Sequence, residues 1–256
     1  MLSDRELEQY SRQLMLPDFT LEYQERLRSA WVLVVGCGGL GSPLAIYLAA
    51  AGVGRLLLAD GDTVERTNLH RQILHGEADI GRSKAASAAA LISAHYPDCR
   101  VSQFTENLEE DALNQAVNSV QLVADGTDNY PTRFSLNRAC IRAGKPLVSA
   151  AAARSEGQLA TFDVASGGAC YRCLYPQEGA STALSCRENG VLGPVVGALG
   201  TLQALEVIKV LTGWGESLRS KVLMMDLRSY EQNIIEISRR DDCPDCGGEL
   251  RRGFGL

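Results

Sequence analysis

A glycine-rich turn between an apolar run and a helix most strongly constrains the fold of this chain. The apolar residues 32–35 end in Gly-Cys-Gly-Gly-Leu-Gly at 36–41, a helix is predicted over 42–51, and a second apolar run closes on Asp60. Glycines permit close backbone approach to phosphate, the helix start offers free N–H groups, and an acid about 20 residues on can bind ribose hydroxyls. The order predicts a nucleotide-binding βαβ unit; the alternative is a glycine turn that serves packing alone.

Strands and helices continue to alternate along the chain. We predict further helices over 83–95, 109–118, 130–143 and 195–211, and strands over 101–104, 120–124, 147–151, 158–164, 221–225 and 233–237. Such alternation is typical of α/β folds with helices on both faces of a parallel sheet. We therefore expect a Rossmann-like, mostly parallel, doubly wound sheet with an antiparallel C-terminal extension.

The other segments suggest three parts. Residues 1–30 are predicted to form a helical arm broken at Pro17, residues 31–248 one large domain, and residues 249–256 a tail. Within the domain, residues 165–194 are rich in Gly, Ser, Cys and Pro. We expect a long functional loop there, because structureless stretches of this length are uncommon in compact domains.

Charge and composition narrow the classes of partner. A net charge of −6 without a basic block argues against nucleic acid. The N-terminus is too charged for a signal peptide, and no apolar stretch reaches the length that spans a bilayer, so we expect no membrane partner and a cytoplasmic location. In such a compartment the eight cysteines are better explained as thiols or metal ligands than as disulfides.

Polar residues cluster where predicted strands end, which is where open α/β sheets bind ligands. Residues 68–72 follow Asp60, residues 81–84 start the next helix, and residues 125–129 follow the strand over 120–124. A triphosphate calls for Arg and Lys clamps and for an acid that can hold Mg²⁺, whereas a dinucleotide does not. The segments therefore favour ATP with Mg²⁺, and the candidate catalytic residues are Arg71, Lys84 and Asp128.

Each of these residues has a simpler explanation. Arg71 and Lys84 could be solvated surface charges, and Asp128 could serve only to cap the following helix. No motif for a general base competes with the nucleotide site, and His70, His75 and His95 look like ordinary loop or helix residues.

Two C-x-x-C knuckles predict a metal site. The four thiolates suit tetrahedral zinc and leave no open position for water, so the metal would be structural. The pairs are separated by residues 174–242, so the site would tie the long loop to the C-terminus. A redox function of one pair is the alternative. The predicted ligands of one zinc ion per chain are Cys170, Cys173, Cys243 and Cys246.

The four remaining cysteines fall outside these pairs and have separate explanations. Cys186 lies in the long loop beside Arg187, which could lower its pKa, so it is either a nucleophile or inert. Cys37, Cys99 and Cys140 lie in or beside apolar elements and are predicted to be small core residues.

The ordered motifs resemble the bacterial E1-like adenylyltransferases, the family of the molybdopterin-synthase adenylyltransferase MoeB and its relative ThiF of thiamine synthesis. The resemblance runs from about residue 8 to residue 248. It rests on the sequences YSRQ at 10–13, GCGGLG at 36–41, NLHRQ at 68–72, TDN at 127–129, CYRC at 170–173 and CPDC at 243–246, with Asp60 and Lys84.

The resemblance implies a reaction: ATP and Mg²⁺ are used to adenylate the C-terminal Gly-Gly carboxylate of a small ubiquitin-like sulfur carrier, with release of pyrophosphate. It implies a homodimer in which Arg12 reaches the ATP site of the other subunit. It also implies that the phosphates, ribose and metal are held by residues of the glycine turn and the following strand ends. The cofactor-binding set is Gly36, Gly38, Gly39, Gly41, Asp60, Asn68, Arg71, Gln72, Lys84, Asp128 and Asn129.

Two features limit how far the properties of the family can be transferred to this chain. The chain stops eight residues after Gly248, so we expect sulfur to come from a separate donor of the cysteine desulfurase or rhodanese type. Cys186 aligns with a position that forms a covalent link to the carrier in ThiF-like members.

The leading expectation is a MoaD-like carrier; a ThiS-like carrier, or both, is the near alternative. An NAD-dependent oxidoreductase and a non-catalytic nucleotide-binding scaffold are the distant ones.

Overall fold

A single mixed sheet organises the chain. The computed structural model describes residues 2–176 and 190–247, and the sheet has the strand order β3-β2-β1-β4-β5-β6-β7-β8. Strands β1 to β5 pair in parallel and β5 to β8 antiparallel, which confirms the expected fold class. The strands are β1 (Trp31–Val35), β2 (Arg55–Ala59), β3 (Arg100–Phe104), β4 (Leu122–Asp125), β5 (Leu147–Ala153), β6 (Glu156–Phe162), β7 (Lys221–Asp226) and β8 (Glu231–Glu236).

Helices cover both faces of this sheet. Along β1, Val32 and Val34 join one core with α4, α5 and α9, whereas Leu33 and Val35 join a second core with α6 and α7. This is the period-2 alternation of a strand buried on both sides. The helices are α1 (Asp4–Gln9), α2 (Ser11–Leu14), α3 (Leu21–Ser29), α4 (Gly41–Ala50), α5 (Lys84–His95), α6 (Glu110–Ser119), α7 (Tyr130–Ala143), α8 (Tyr171–Leu174) and α9 (Gly193–Thr212).

The strand order reverses beside β1. This strand pairs with β2 on one side and β4 on the other, and the helices that follow β1 and β4 lie on opposite faces. The turns after β1 and β4 therefore diverge and leave a crevice at their carboxyl ends, where open α/β sheets bind ligands.

Helix α9 corrects one expectation. Among the described helices it alone is long and apolar enough, by length and composition, to cross a membrane, so the prediction that no stretch reaches that length was wrong. Half of it is buried within the molecule, and it packs on α4, β5 and β6. Its apolar character is that of a central helix covering a sheet.

The predicted long loop over 165–194 is partly structured. It contains α8, which carries the first C-x-x-C pair, and a bridge between Val191 and Arg154. Cys186, the residues around it and the predicted tail 249–256 lie outside the described residues.

A candidate nucleotide-binding cleft and a four-cysteine cluster

The glycine-rich turn between β1 and α4 is packed so tightly that side chains are excluded. Gly36 has φ 90° and donates its N–H to the Ala59 carbonyl at 2.8 Å. A Cβ at Gly41 would lie 1.8 Å from the Gly36 carbonyl oxygen, and one at Gly39 would lie 2.8 Å from Cγ2 of Val196. The turn therefore needs glycine at these positions, and its backbone lies open to the crevice.

The start of α4 and the end of β2 complete this side of the crevice. In the first turn of α4, Ser42 already donates its N–H to the Gly38 carbonyl at 2.9 Å and Pro43 has no N–H, so the cleft is lined here by the preceding backbone of Gly38, Gly39 and Leu40. Asp60 accepts the N–H of Cys37 at 2.7 Å and of Asp62 at 2.9 Å. Burial raises the pKa of Asp60 above its ordinary value, although both N–H groups and the charge of Lys84 act against this.

Two adjoining cavities open at the carboxyl ends of β1, β2 and β4. The first is a cleft of about 590 Å³, and the second, of about 540 Å³, shares with it Asp62, Arg71, Gln72, Lys84 and Asp128. The volumes are those of small-molecule sites. Most predicted cofactor-binding residues line the cleft: Gly36, Gly38, Gly39, Asp60, Arg71, Gln72, Lys84, Asp128 and Asn129.

The two predicted cations are held in place rather than free in solvent. Lys84 is 7% exposed, and its Nζ lies 2.8 Å from Oδ2 of Asp62. Arg71 is half-buried and donates through Nη1 to the Thr67 carbonyl at 2.9 Å, with the Nε2 atom of His70 2.8 Å from the same nitrogen. The geometry does not support solvated surface charges at these positions.

Asp128 does not cap the helix that follows it. The N-cap of α7 is Asn129, whose Oδ1 accepts the N–H of Thr132 at 3.0 Å. The side chain of Asp128 is exposed and lines both cavities. The capping explanation for Asp128 is therefore wrong, and its carboxylate remains a candidate ligand group.

Two predicted residues stand apart from the cleft, and a third is not among the described residues. Gly41 does not line it and serves the packing of the turn. Arg12 lies on α2, and its neighbour Gln13 donates to the Ala51 carbonyl, which follows the C-terminal end of α4. The cleft lies at the opposite end of that helix, about 15 Å away. Cys186 lies outside the described residues.

Asn68 and Gln72 sit deeper in the second cavity. Both are buried, and Oδ1 of Asn68 accepts the N–H of Glu65 at 3.2 Å. Oε1 of Gln72 has no hydrogen-bond partner among the described residues, although it is buried beside the cleft. An orphaned buried acceptor at this place suits a ligand that donates a hydrogen bond.

The sequence reasoning missed other residues of the site. The sequence around His75 indicates an ordinary loop residue, yet it is buried, and its Nε2 lies 3.0 Å from the Cys37 carbonyl in the glycine-rich turn. Asp62 and Val196 line the cleft. Asp62 could have been predicted, because it is a second acid only two residues after Asp60. Val196 could not, because only the packing of α9 over the turn brings it to the cleft.

The four predicted metal ligands lie together. Their Sγ atoms all lie within 4.8 Å of one another and all four residues are buried. The distances are 3.8 Å for Cys170–Cys173, 3.6 Å for Cys170–Cys243 and 3.4 Å for Cys173–Cys246. Sulfur atoms bound at about 2.3 Å to one tetrahedral metal ion lie about 3.8 Å apart, so the cluster fits zinc.

Hydrogen bonds within the cluster favour thiolate at Cys173, whereas the bond that Cys170 donates to Cys173 raises the pKa of Cys170 above its ordinary value. The pKa of Cys173 lies well below its ordinary value because Cys170 and Cys246 donate hydrogen bonds to it, together with the N–H of Arg240. Asn137 of α7 joins the two knuckles: it accepts the N–H of Tyr171 and donates to Asp245, each at 2.8 Å. The ligand loops are thus fixed by bonds beyond the sulfur atoms, as is usual around metal sites.

An open α/β sheet with a glycine-rich turn, cations and acids at its carboxyl edge defines a nucleotide-binding protein of Rossmann type. The chain belongs to the ThiF family, whose profile matches residues 10–245. The family confirms the E1-like resemblance.

Similar proteins include the adenylyltransferase and sulfurtransferase MOCS3 of Sus scrofa, 49% identical over 96% of this chain and 54% of the relative. MOCS3 of Arabidopsis thaliana is 44% identical over 96% of this chain and 53% of the relative. The chain thus spans about half the length of these relatives.

Solved structures share the fold. E. coli MccB with ATP is 24% identical with a TM-score of 0.80, covering 93% of this chain and 73% of that one. E. coli MccB alone is 23% identical with a TM-score of 0.83, covering 97% of this chain and 74% of that one.

Proposed function

We propose that this chain adenylates the C-terminal Gly-Gly carboxylate of a small ubiquitin-like sulfur carrier with ATP and Mg²⁺. The observation that carries the proposal is the convergence of Arg71, Lys84 and Asp128 on one cleft beside the glycine-rich turn. The name adenylyltransferase borne by the MOCS3 relatives supports it.

The chemistry needs charge stabilisation and positioning. A carrier carboxylate oxygen attacks the α-phosphorus of ATP, the bond to the bridging oxygen breaks, and pyrophosphate leaves with that electron pair. The carboxylate is already ionised at neutral pH, so no base has to remove a proton. Arg71 and Lys84 would stabilise the charge on the phosphates, and the glycine turn would hold them.

The remaining site residues take complementary roles. Asp60 would accept the ribose hydroxyls, and Asp128 would hold Mg²⁺, which neutralises phosphate charge when bound. Asn68, Gln72 and Asn129 would contribute hydrogen bonds. The second cavity joins the cleft at Arg71, Lys84 and Asp128, and it offers the carrier tail a route to the α-phosphate.

The leading carrier is MoaD-like, of molybdopterin synthase, and a ThiS-like thiamine carrier is the alternative. The separate sulfur donor, the covalent use of Cys186 and the boundaries of the arm, domain and tail stay predictions. A cytoplasmic location is supported by the seven free cysteines of the described residues.

We further propose one structural zinc ion per chain and a homodimer. The sulfur spacing in the cluster supports zinc. The dimer is supported by large exposed apolar side chains on the arm and on α9, namely Met15, Leu16 and Leu205, because such side chains suit a second copy. The arm would then bring Arg12 to the partner's cleft.

The test is ATP–pyrophosphate exchange with Mg²⁺, run separately with a MoaD-like and a ThiS-like carrier. Exchange is expected with one carrier or both, and Asp128→Asn is expected to lower it roughly 100-fold, the scale of losing one electrostatic group. Asp111→Asn, an exposed acid at the start of α6, is the matched control and should match the wild type.

Other outcomes would redirect the assignment. Unimpaired exchange in Asp128→Asn would contradict the proposed role of this residue. ATP binding without exchange for either carrier would favour a scaffold, and tight nicotinamide binding would favour an oxidoreductase.

A further inference from the structure

A buried arginine lies beneath the loop that carries Asp128. Arg133, in the first turns of α7, is 2% exposed and does not line the cleft. Its Nε lies 3.7 Å from Oδ2 of Asp125, which is fully buried at the end of β4. Burial acts to lower the pKa of Arg133, but Asp125 and Tyr171 raise it above its ordinary value, so the guanidinium is charged.

The Asp125–Arg133 pair holds Thr127 from both sides. Oδ1 of Asp125 accepts the Thr127 N–H at 2.9 Å and the Thr127 hydroxyl at 2.7 Å. Nη2 of Arg133 donates to the Thr127 carbonyl at 2.6 Å. That carbonyl belongs to the peptide unit shared with Asp128, so Arg133 fixes the plane of the Thr127–Asp128 peptide.

The loop is also pinned at its start. Gly126 donates its N–H to the Val35 carbonyl at 2.8 Å, and its own carbonyl oxygen would lie 2.9 Å from a Cβ at Gly36. Ser149 donates its hydroxyl to Oδ2 of Asp125 at 2.7 Å. Between this anchor and the cap of α7, the carbonyl bond from Arg133 holds the peptide unit that leads directly into Asp128.

We propose that Arg133 is a positioning residue of the adenylation site, which aims the Asp128 carboxylate into the cleft by fixing the preceding peptide plane. The inference rests on the proposed function, because it gives Asp128 the Mg²⁺ and phosphate of ATP. It assigns the buried ion pair a task in the reaction beyond packing α7 against β4.

An arginine suits this task better than a lysine. Its planar guanidinium can approach Asp125 through Nε and bond the Thr127 carbonyl through Nη2 at the same time. A lysine keeps the charge that offsets the buried Asp125 but has one nitrogen for both partners. Arg133→Lys therefore tests positioning while it spares the buried carboxylate from losing its counter-charge.

The experiment compares wild type, Arg133→Lys and Arg142→Lys in the full chain. Arg142 lies on the same helix but is exposed, so it controls for the same chemical change. For Arg133→Lys we expect kcat for exchange to fall about 10- to 100-fold, as small misplacements can cost. We expect KM for ATP to change less than about threefold, since the glycine turn and cations are untouched.

A second readout needs no carrier. Binding of an N-methylanthraniloyl derivative of ATP is titrated with Mg²⁺, and the Mg²⁺ concentration for half-maximal effect should rise about tenfold in Arg133→Lys, the scale of losing one oriented ligand group. Metal content and urea midpoints of all variants are measured alongside. Thr127→Val, which removes one bond to Asp125, is the second variant, and a smaller change in the same direction is expected.

The outcomes separate this inference from the proposed function. Wild-type values for Arg133→Lys in both readouts would overturn it, as would equal losses in stability, nucleotide affinity and kcat, which mark a purely structural role. If Arg133→Lys shifts the Mg²⁺ titration while the wild type shows no exchange with either carrier, the positioning of Asp128 is retained and the carrier reaction is rejected.

Discussion

At the scale of single residues, His75 shows how a buried group supports the glycine-rich turn. Its Nε2 lies 3.0 Å from the Cys37 carbonyl, which only accepts, so Nε2 carries the hydrogen. Nδ1 lies 2.9 Å from the Ser87 hydroxyl, which also hydrogen-bonds the carboxylate of Asp79. Burial lowers the pKa of His75 below its ordinary value and outweighs the Cys37 carbonyl and the negative charges of Asp79 and Asp60; the charge of Lys84 also lowers it.

The lowered pKa predicts a pH-dependent stability. As pH falls below about 6.5, the unfolded chain takes up a proton at His75 before the folded chain does. The contribution of His75 to the free energy of unfolding is therefore complete above that pH and is lost as pH falls towards the folded-state pKa, by at most about 1.4 kcal/mol per pH unit. Urea unfolding of His75→Gln between pH 5 and 8 should show a shallower dependence than wild type.

The matched control is His95→Gln. His95 is exposed on the same helix as Ser87, so its variant should keep the wild-type dependence. Identical slopes for all three proteins would mean that His75 does not carry the effect.

At the scale of elements, periodicity predicted what lies inside each element, whereas pairing decided where it ends. Helix α7 has the predicted bounds because Asn129 caps its start and Gly144, with φ 62°, ends it. Strand β6 was predicted over 158–164, but it begins at Glu156 because the hairpin pairs that residue with Ala153. Such register depends on a partner strand, which one segment of sequence does not reveal.

Some residues of the candidate site could likewise be predicted from the sequence, and others could not. Arg71, Lys84 and Asp128 could be predicted because they lie in polar segments between a strand and the helix that follows it, on the side of an open sheet that binds ligands. Arg133 and His75 could not, because their importance comes from a carbonyl distant in the fold or from a buried partner. Their sequence context, within or beside apolar segments, resembles that of ordinary core positions.

The cysteine cluster joins two elements that are distant along the chain. Cys170 is the N-cap of α8 and Cys173 lies within that helix, whereas Cys243 and Cys246 lie beyond β8. A metal ion that links them closes a loop of about 70 residues, which restricts the unfolded chain by roughly 4 kcal/mol on the loop-closure scale of a covalent cross-link. The segment that follows β6 is thereby tied to the segment that follows β8.

Cys173→Ser is expected to lose most of the zinc, about one ion per chain in the wild type, because three thiolates and a hydroxyl hold this ion weakly. The free energy of unfolding should fall by several kcal/mol, and a chelator should destabilise wild type but not the variant. Elemental analysis and urea unfolding measure both. Cys99→Ser, a buried cysteine outside the cluster, should keep its zinc; full zinc in Cys173→Ser would contradict the assignment.

At the scale of the whole molecule, the arm and the cleft lie at opposite ends of α4. Buried Gln24 of α3 donates to the Ala51 carbonyl at 3.0 Å, and Gln13 donates to Gln24 at 2.8 Å, so the arm is fixed beyond the C-terminal end of that helix. Arg12 therefore cannot reach the cleft of its own chain without leaving this packing. If Arg12 acts in the reaction, it must act on a second copy.

Mixed dimers test this arrangement. Arg12→Ala and Asp128→Asn should each be nearly inactive in exchange as homodimers, because one lacks the contributed arginine and the other the metal-holding acid. When both variants are unfolded and refolded together in equal amounts, half of the dimers contain one subunit of each kind. In these dimers one of the two clefts has both Asp128 and the partner's arginine. Activity should therefore return to roughly a quarter of the wild-type value.

Two Asp128→Asn samples refolded together should stay inactive. If Arg12→Ala alone retains wild-type exchange and the mixture gives about half of the wild-type value, Arg12 has no part in the reaction and the dimer loses its catalytic rationale.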